Sequence, residues 1–216
     1  MNSETIYKRL LELFPNASCE LNYKNDYQLI VAVVLSAQTT DIAVNKVTDV
    51  LFKKYPNVYS LAIANTKDVE KIIKPIGLYK NKTKNIINLS KAIVEQFAGV
   101  VPNTYKELIT LDGVGRKTAN VVLSELFNVP AIAIDTHVNR VSKRLGLVKK
   151  DASIIEVERK LQETFKKEYW SKLHHLLIHF GRYKCLARNP KCENCPFIEI
   201  CVEKKLKKVW LYCHTF

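Results

Sequence analysis

Apolar residues recur along this chain mostly at intervals of three and four, the spacing of a helix face, and nowhere sustain the alternation of a strand. Ile6, Leu10, Leu13 and Phe14 form a first stripe that ends before Pro15. Asp26 is placed to cap a second helix through the apolar segment to Ala37; taken alone, that short segment fits a buried strand equally well. Thr40 or Asp41 opens a third helix that ends near Tyr55-Pro56, and Thr66 opens another that Pro75-Ile76-Gly77 stops. Ile86, Leu89, Ile93 and Phe97 predict a long helix closed by Gly99. Thr104 to Glu107 and Ser153 to Glu156 read as capping boxes. Asp135 or Thr136 starts a helix ending at Gly146, and Trp170, Leu173, Leu177 and Phe180 mark one ending at Gly181. The expected fold class is all-α, without internal repeats or a low-complexity linker.

One stretch organises the rest: Leu-Asp-Gly-Val-Gly-Arg-Lys-Thr-Ala-Asn at 111–120. Gly113 and Gly115 bracket Val114, so the backbone can turn sharply and approach another molecule closely. Beyond them Ala119, Val122, Leu123 and Leu126 share one helical face, and Lys117, Asn120 and Ser124 the polar one. A glycine turn opening a helix presents backbone N–H groups and a positive dipole end, which suits a phosphate. An ordinary loop or C-cap can look the same. Arg116 and Lys117 directly after the glycines give the stretch the look of a helix-hairpin-helix with Lys117 at its mouth, and make Gly113, Val114, Gly115 and Arg116 candidate phosphate contacts.

Charge supports that direction. The 216 residues carry a net +13 with a pI near 9.4, which points to a polyanionic partner, although solvated lysines alone would give the same total. At 47% hydrophobic the chain can bury one substantial core or two modest ones. The polar N-terminus does not read as a signal peptide, and the apolar run from Leu29 to Leu35 is too short to span a bilayer, so a cytoplasmic protein is expected.

Four of the six cysteines are crowded near the C-terminus: Cys185, Cys192, Cys195 and Cys201, at intervals x6, x2 and x5. In a reducing compartment such a cluster is more often metal-binding than disulfide-bonded. Soft thiolates suit zinc or an iron–sulfur cluster, and the spacing alone favours neither strongly. Arg188 and Lys191 lie in the first interval, where a metal-pinned loop could present them to phosphates.

Together these features resemble the endonuclease III family of DNA glycosylases. The resemblance rests on 111–120, on Ile-Asp-Thr-His-Val-Asn-Arg at 134–140 and on the cysteine spacing. It rests also on Leu-Ser-Ala-Gln-Thr-Thr-Asp at 35–41, Ile-Gly-Leu-Tyr-Lys-Asn-Lys at 76–82 and Phe-Gly-Arg-Tyr-Lys-Cys at 180–185. It runs from about Glu4 to Val202. It implies a six-helix barrel domain over 20–130, with the hairpin motif at about 104–127, and a [4Fe-4S] domain built from 1–19 and 131–216. Double-stranded DNA carrying damaged pyrimidines or abasic sites would bind a monomer in the cleft between the domains. The implied activity is base removal followed by strand cleavage through β-elimination, in the cytoplasm at the nucleoid. Two departures stand out: Asp112 where the family usually has proline, and Thr83 where alanine is commoner. The tail from Lys204 to Phe216, with Trp210 and Cys213, matches nothing in the pattern.

The resemblance also implies roles. A base must leave the duplex to be reached; Gln38 would fill the hole and bond the orphaned partner, with Leu78 as an apolar wedge. Lys117 would be the nucleophile, its neutral form favoured by the helix N-terminus, Arg116 and partial burial. Asp135 would stabilise the charge that develops on the sugar, although Asp before Thr-His is also a natural N-cap. His137 is read as structural or phosphate-facing, and His175 with His179 as a packed helix face. Arg140 to Lys150 holds five basic residues and no acid, which fits a phosphate track or a solvated face. The rivals are a mismatch-specific adenine glycosylase, which would lack the lysine, a non-catalytic hairpin DNA-binding protein, and zinc in place of iron–sulfur.

Overall fold

The computed structural model describes residues 1–203, so Trp210, Cys213 and the rest of the 204–216 tail lie outside the described residues. Among the described residues all regular structure is helical, α1 (Ser3–Leu13) to α11 (Trp170–His179). The chain divides into two compact units, one of Cys19–Val129 and one of Met1–Ser18 with the chain from Pro130 onward.

The Cys19–Val129 unit is built around α2 (Asp26–Leu35), every residue of which after Asp26 is buried. A helix apolar on all sides belongs in the middle of a core. Accordingly α3 (Asp41–Lys54), α6 (Tyr79–Phe97) and α8 (Arg116–Phe127) all pack against it. That settles the helix-or-strand ambiguity of this segment. Its cap is Asn25 rather than Asp26: the Asn25 side chain accepts the Gln28 N–H at 3.0 Å, which leaves Asp26 in the first turn, where its charge suits the dipole. The short α4 (Val58–Ala62), which apolar period does not reveal, is opened by a capping box between Asn57 and Ser60 and packs on α6 with α5 (Thr66–Ile73). At Thr104 only half of the expected box forms. Its hydroxyl accepts the Glu107 N–H at 3.3 Å, but the Glu107 carboxylate bonds that same hydroxyl at 2.6 Å instead of reaching back to the backbone.

In the second unit α1 packs on α11, and α11 and α10 (Ile154–Thr164) pack on α9 (Thr136–Arg144). Ile6, Leu10, Val138, Val141, Leu161, Leu173, Leu177, Phe180 and Phe197 form its core. Burying side chains of this size contributes roughly 1.5–3 kcal/mol each. The Tyr7 and Tyr169 rings stack with centroids 4.0 Å apart, and Lys172 donates to the Pro15 and Ala17 carbonyls, fixing the exit of α1. The box from Ser153 to Glu156 forms in full. Gly181 does not end α11. The chain continues through a π-helical turn, Phe180–Lys184, which delivers Cys185 to the loop that follows.

Candidate nucleic-acid interface and cysteine centre

The hairpin is assembled from inside. Leu111 and Val114 are buried, and the Val114 N–H bonds the Leu111 carbonyl at 3.0 Å, so Val114 shapes the turn with its side chain packed inward. Gly113 sits at φ +78, and a Cβ there would lie 2.9 Å from both Asn85 Nδ2 and Val34 Cγ1. Any other residue would be strained and would push the hairpin off α6. Gly115 caps α8 in extended conformation without a side-chain bond. The first-turn N–H groups of α8 therefore have no earlier carbonyl of their own helix to bond. Asp112, the residue in proline's usual place, accepts a hydrogen bond from Asn88 of α6 at 2.8 Å. That tether supplies a restraint that a proline ring would otherwise give.

Arg116 and Lys117 are exposed at the start of α8. The partial burial expected of Lys117 is therefore not found: its side chain is exposed. Asn120 and Ser124 differ in the opposite direction: both are buried, since α8 covers more of its circumference than its apolar face predicts.

Gln38 follows α2, and Leu78 precedes α6 as its N-cap residue. Both are exposed, Leu78 by 56%, and both adopt left-handed backbone, φ +54 and φ +58. For a leucine that conformation costs on the order of 1–3 kcal/mol and persists only where its surroundings impose it. Between them stands a residue that sequence reasoning missed. Lys82 is 4% exposed, and its Nζ donates to Thr39 Oγ1 at 2.6 Å. It lies at the end of the 76–82 motif, but its spacing marks only one more lysine.

In the other unit Asp135 caps α9, its Oδ1 accepting the Val138 N–H at 2.7 Å. His137 sits half-buried beside Arg140, and burial pushes its pKa below the ordinary imidazole value despite the opposing charge of Asp135. A Cβ on Gly181 would come within 2.9 Å of His137 Cβ, so the bare glycine lets the π turn lie directly on α9. His175 is buried and His179 reaches the Ser18 carbonyl at 3.2 Å, in keeping with a packed helix face.

The basic run from Arg140 to Lys150 divides. Arg140 donates to the carbonyls of Gly181 and Cys185 at 2.8 and 3.2 Å. Arg144 donates to those of Leu186 and Ala187 at 2.6 and 3.2 Å, pairs with Glu203, and approaches Cys185 Sγ at 3.5 Å. These two arginines hold the cysteine loop.

Cys185, Cys192, Cys195 and Cys201 carry no disulfide and line one cavity together with Leu145, Phe180 and Phe197. Burial raises the Cys185 and Cys195 thiols above their ordinary pKa, and Arg144 opposes it at Cys185. Among the described residues no three His, Cys, Asp or Glu side chains form a group that could hold a single metal ion. Four soft thiols around one cavity suit an iron–sulfur cluster. Arg188 and Lys191 are exposed on the same loop, which turns at Asn189 and Asn194 in left-handed conformation.

Residues 31–167 match the family described as HhH-GPD superfamily base excision DNA repair protein, and residues 185–201 match the iron-sulfur binding domain of endonuclease III. The chain is 52% identical over 192 residues to endonuclease III of Bacillus subtilis, covering 89% of this chain and 88% of the relative. It is 40% identical over 200 residues to endonuclease III of Escherichia coli, covering 93% and 94%. It is also similar to a solved trapped endonuclease III–DNA covalent intermediate, with a TM-score of 0.92, 46% identity and coverage of 96% of this chain and 99% of that one. Among the described residues no helix is long and apolar enough to cross a membrane.

Proposed function

The chain belongs to the endonuclease III family of base excision repair proteins, and from that premise we propose that Lys117 and Asp135 carry its chemistry. It is a bifunctional DNA glycosylase and abasic-site lyase acting on double-stranded DNA. The substrate is a damaged pyrimidine nucleotide turned out of the stack. The neutral Nζ of Lys117 attacks the sugar C1′, and the base departs with the electron pair of the glycosidic bond. A proton then moves from that nitrogen to O4′ as the C1′–O4′ bond opens, leaving an iminium that acidifies the C2′ proton; loss of this proton breaks the C3′–O bond and expels the 3′ phosphate by β-elimination. Asp135 stabilises the positive charge that builds on the sugar as the bond breaks. One of its oxygens is committed to capping α9, and that bond fixes the carboxylate for this work.

The observation that carries the reading is Lys117 itself: an exposed amine in the first turn of α8, two residues beyond a turn whose Gly113 tolerates no side chain. Gln38 and Leu78 fill the space the extruded base leaves. Arg116 and the backbone at Gly113, Val114 and Gly115 hold phosphate, as do Arg188 and Lys191. The domains act as 20–130 and 1–19 with 131–216, and the enzyme works as a monomer on genomic DNA in the cytoplasm, at the nucleoid.

Cys185, Cys192, Cys195 and Cys201 hold the family's [4Fe-4S] cluster. When bound it would cross-link the loop and supply a redox-capable centre. Arg140 and Arg144 position the Cys185 end of that loop through its carbonyls.

Borohydride trapping on duplex DNA containing thymine glycol tests the nucleophile. The wild-type adduct should map to residue 117. Lys117→Gln should fold, keep its iron and bind damaged duplex, yet form no adduct and lose nearly all base removal and strand cleavage. Lys117→Arg should be equally inactive, because guanidinium stays protonated. Trapping that survives in Lys117→Gln would assign the chemistry to another amine.

A further inference from the structure

Lys82 is the one buried lysine among the described residues, and its hydrogen bonds reach left-handed Leu78 and the residue directly after left-handed Gln38, two of the four non-glycine left-handed positions in its unit. Its backbone N–H bonds the carbonyl of Leu78 at 3.0 Å, closing the first turn of α6 on a left-handed leucine. Its ammonium crosses to Thr39 Oγ1 at 2.6 Å, the residue directly after left-handed Gln38. Thr39 passes the restraint on, since its N–H bonds the Ser36 carbonyl at 3.1 Å and its hydroxyl the Ala37 carbonyl at 3.3 Å. A buried ammonium is expensive, and an apolar chain of similar length would fill the same space at less cost. Burial depresses the pKa of Lys82, as that cost requires. A charge kept in so unfavourable a place calls for a role beyond packing.

We propose that Lys82 is a positioning residue, a strap that holds the loop carrying Gln38 and the turn carrying Leu78 in fixed register so that both enter the duplex together. This rests on the reading that Gln38 and Leu78 fill the space left by the extruded base. Lys82 does not touch the reacting sugar. It presets the two exposed side chains, so that less ordering is left to be done when the base leaves the stack.

The test separates opening of the duplex from chemistry. Lys82→Met keeps chain length and removes the donor; Thr39→Val removes the acceptor from the other side. Each should slow excision of thymine glycol from duplex DNA roughly tenfold or more, the size expected for losing one hydrogen bond to a charged group. Each should weaken the fluorescence rise of 2-aminopurine placed opposite the lesion. Cleavage of a single-stranded abasic oligonucleotide, which has no partner strand to displace, should stay at the wild-type rate. The double variant should be no worse than either single one, because both remove the same bond. Thr39→Ser should restore activity by keeping the hydroxyl. Equal loss on single-stranded substrate, or additive losses in the double variant, would overturn the strap. Gln38→Ala measured in parallel tells the two readings apart. If it spares damage selectivity, the plug role falls. If it abolishes selectivity while Lys82→Met and Thr39→Val do not, only the strap falls.

Discussion

At the scale of single residues, several positions serve two ends that substitution can pull apart. Asp135 both caps α9 and, on our reading, faces the sugar. Asparagine caps as well as aspartate, so Asp135→Asn should leave thermal stability almost unchanged while slowing excision; Asp135→Ala should in addition cost about 1 kcal/mol of stability, read by denaturant titration. Equal stability losses in both would mean that charge, not capping, anchors the helix. Thr83 is a departure from the family pattern expected to matter little. It is fully buried, and its hydroxyl finds no partner among the described residues. An unpaired buried hydroxyl costs on the order of 1–3 kcal/mol, so Thr83→Val, of equal volume, should raise the denaturation midpoint without touching activity. His137 adds a pH dependence. Its folded pKa lies below the ordinary 6.5, so below that pH the unfolded imidazole takes up a proton more readily than the folded one. Acidification from neutrality through that window should therefore destabilise the protein, and His137→Asn should flatten the slope of stability against pH.

At the scale of elements, the legible part of the sequence was the periodic part. Ile86, Leu89 and Ile93 announced α6, whose two ends the structure puts at Tyr79 and Phe97, and the stripe from Ile6 announced α1. Period failed where a helix is buried all round, as in α2, and where a helix is a single turn set by its cap, as at Asn57. It also missed the fate of long polar side chains. Nothing local to Arg140, Arg144 or Lys82 says which distant carbonyl or hydroxyl each reaches, because those partners lie 41 or more residues away. The same holds for the π turn. Gly181 reads as a stop signal, yet it is needed because His137 and Val141 leave no room for a Cβ. Gly181→Ala should therefore force α9 and the π turn apart. Overpacking of this kind costs about 1–3 kcal/mol. It should appear as a lower melting temperature together with faster loss of iron, since Cys185 follows that turn directly. Unchanged iron retention would show that the cysteine loop is held without the α9 contact.

At the scale of the whole molecule, charge is the property that no single motif explains. Thirty-four Lys and Arg against 21 Asp and Glu leave a net +13, and the structure spends part of that internally: Arg140, Arg144 and Lys172 bond carbonyls, and Lys82 bonds a hydroxyl. What remains exposed, including Arg116, Lys117, Arg188 and Lys191, can displace counterions from a phosphate backbone. Affinity for undamaged duplex should thus fall linearly in log K against log salt, with a slope set by the number of phosphates neutralised. Lys191→Ala should weaken damaged and undamaged duplexes alike and flatten that slope by about one unit. Arg144→Gln should behave differently. Its guanidinium is committed to Leu186, Ala187 and Glu203, so the slope should change only to the extent that the loop loses its shape, and iron loss should accompany the change. Gln38→Ala, which removes no charge, should keep the slope and lose only the preference for damage. A slope that drops by a full unit in Arg144→Gln with iron intact would return that arginine to the phosphate track and overturn the division of the basic run.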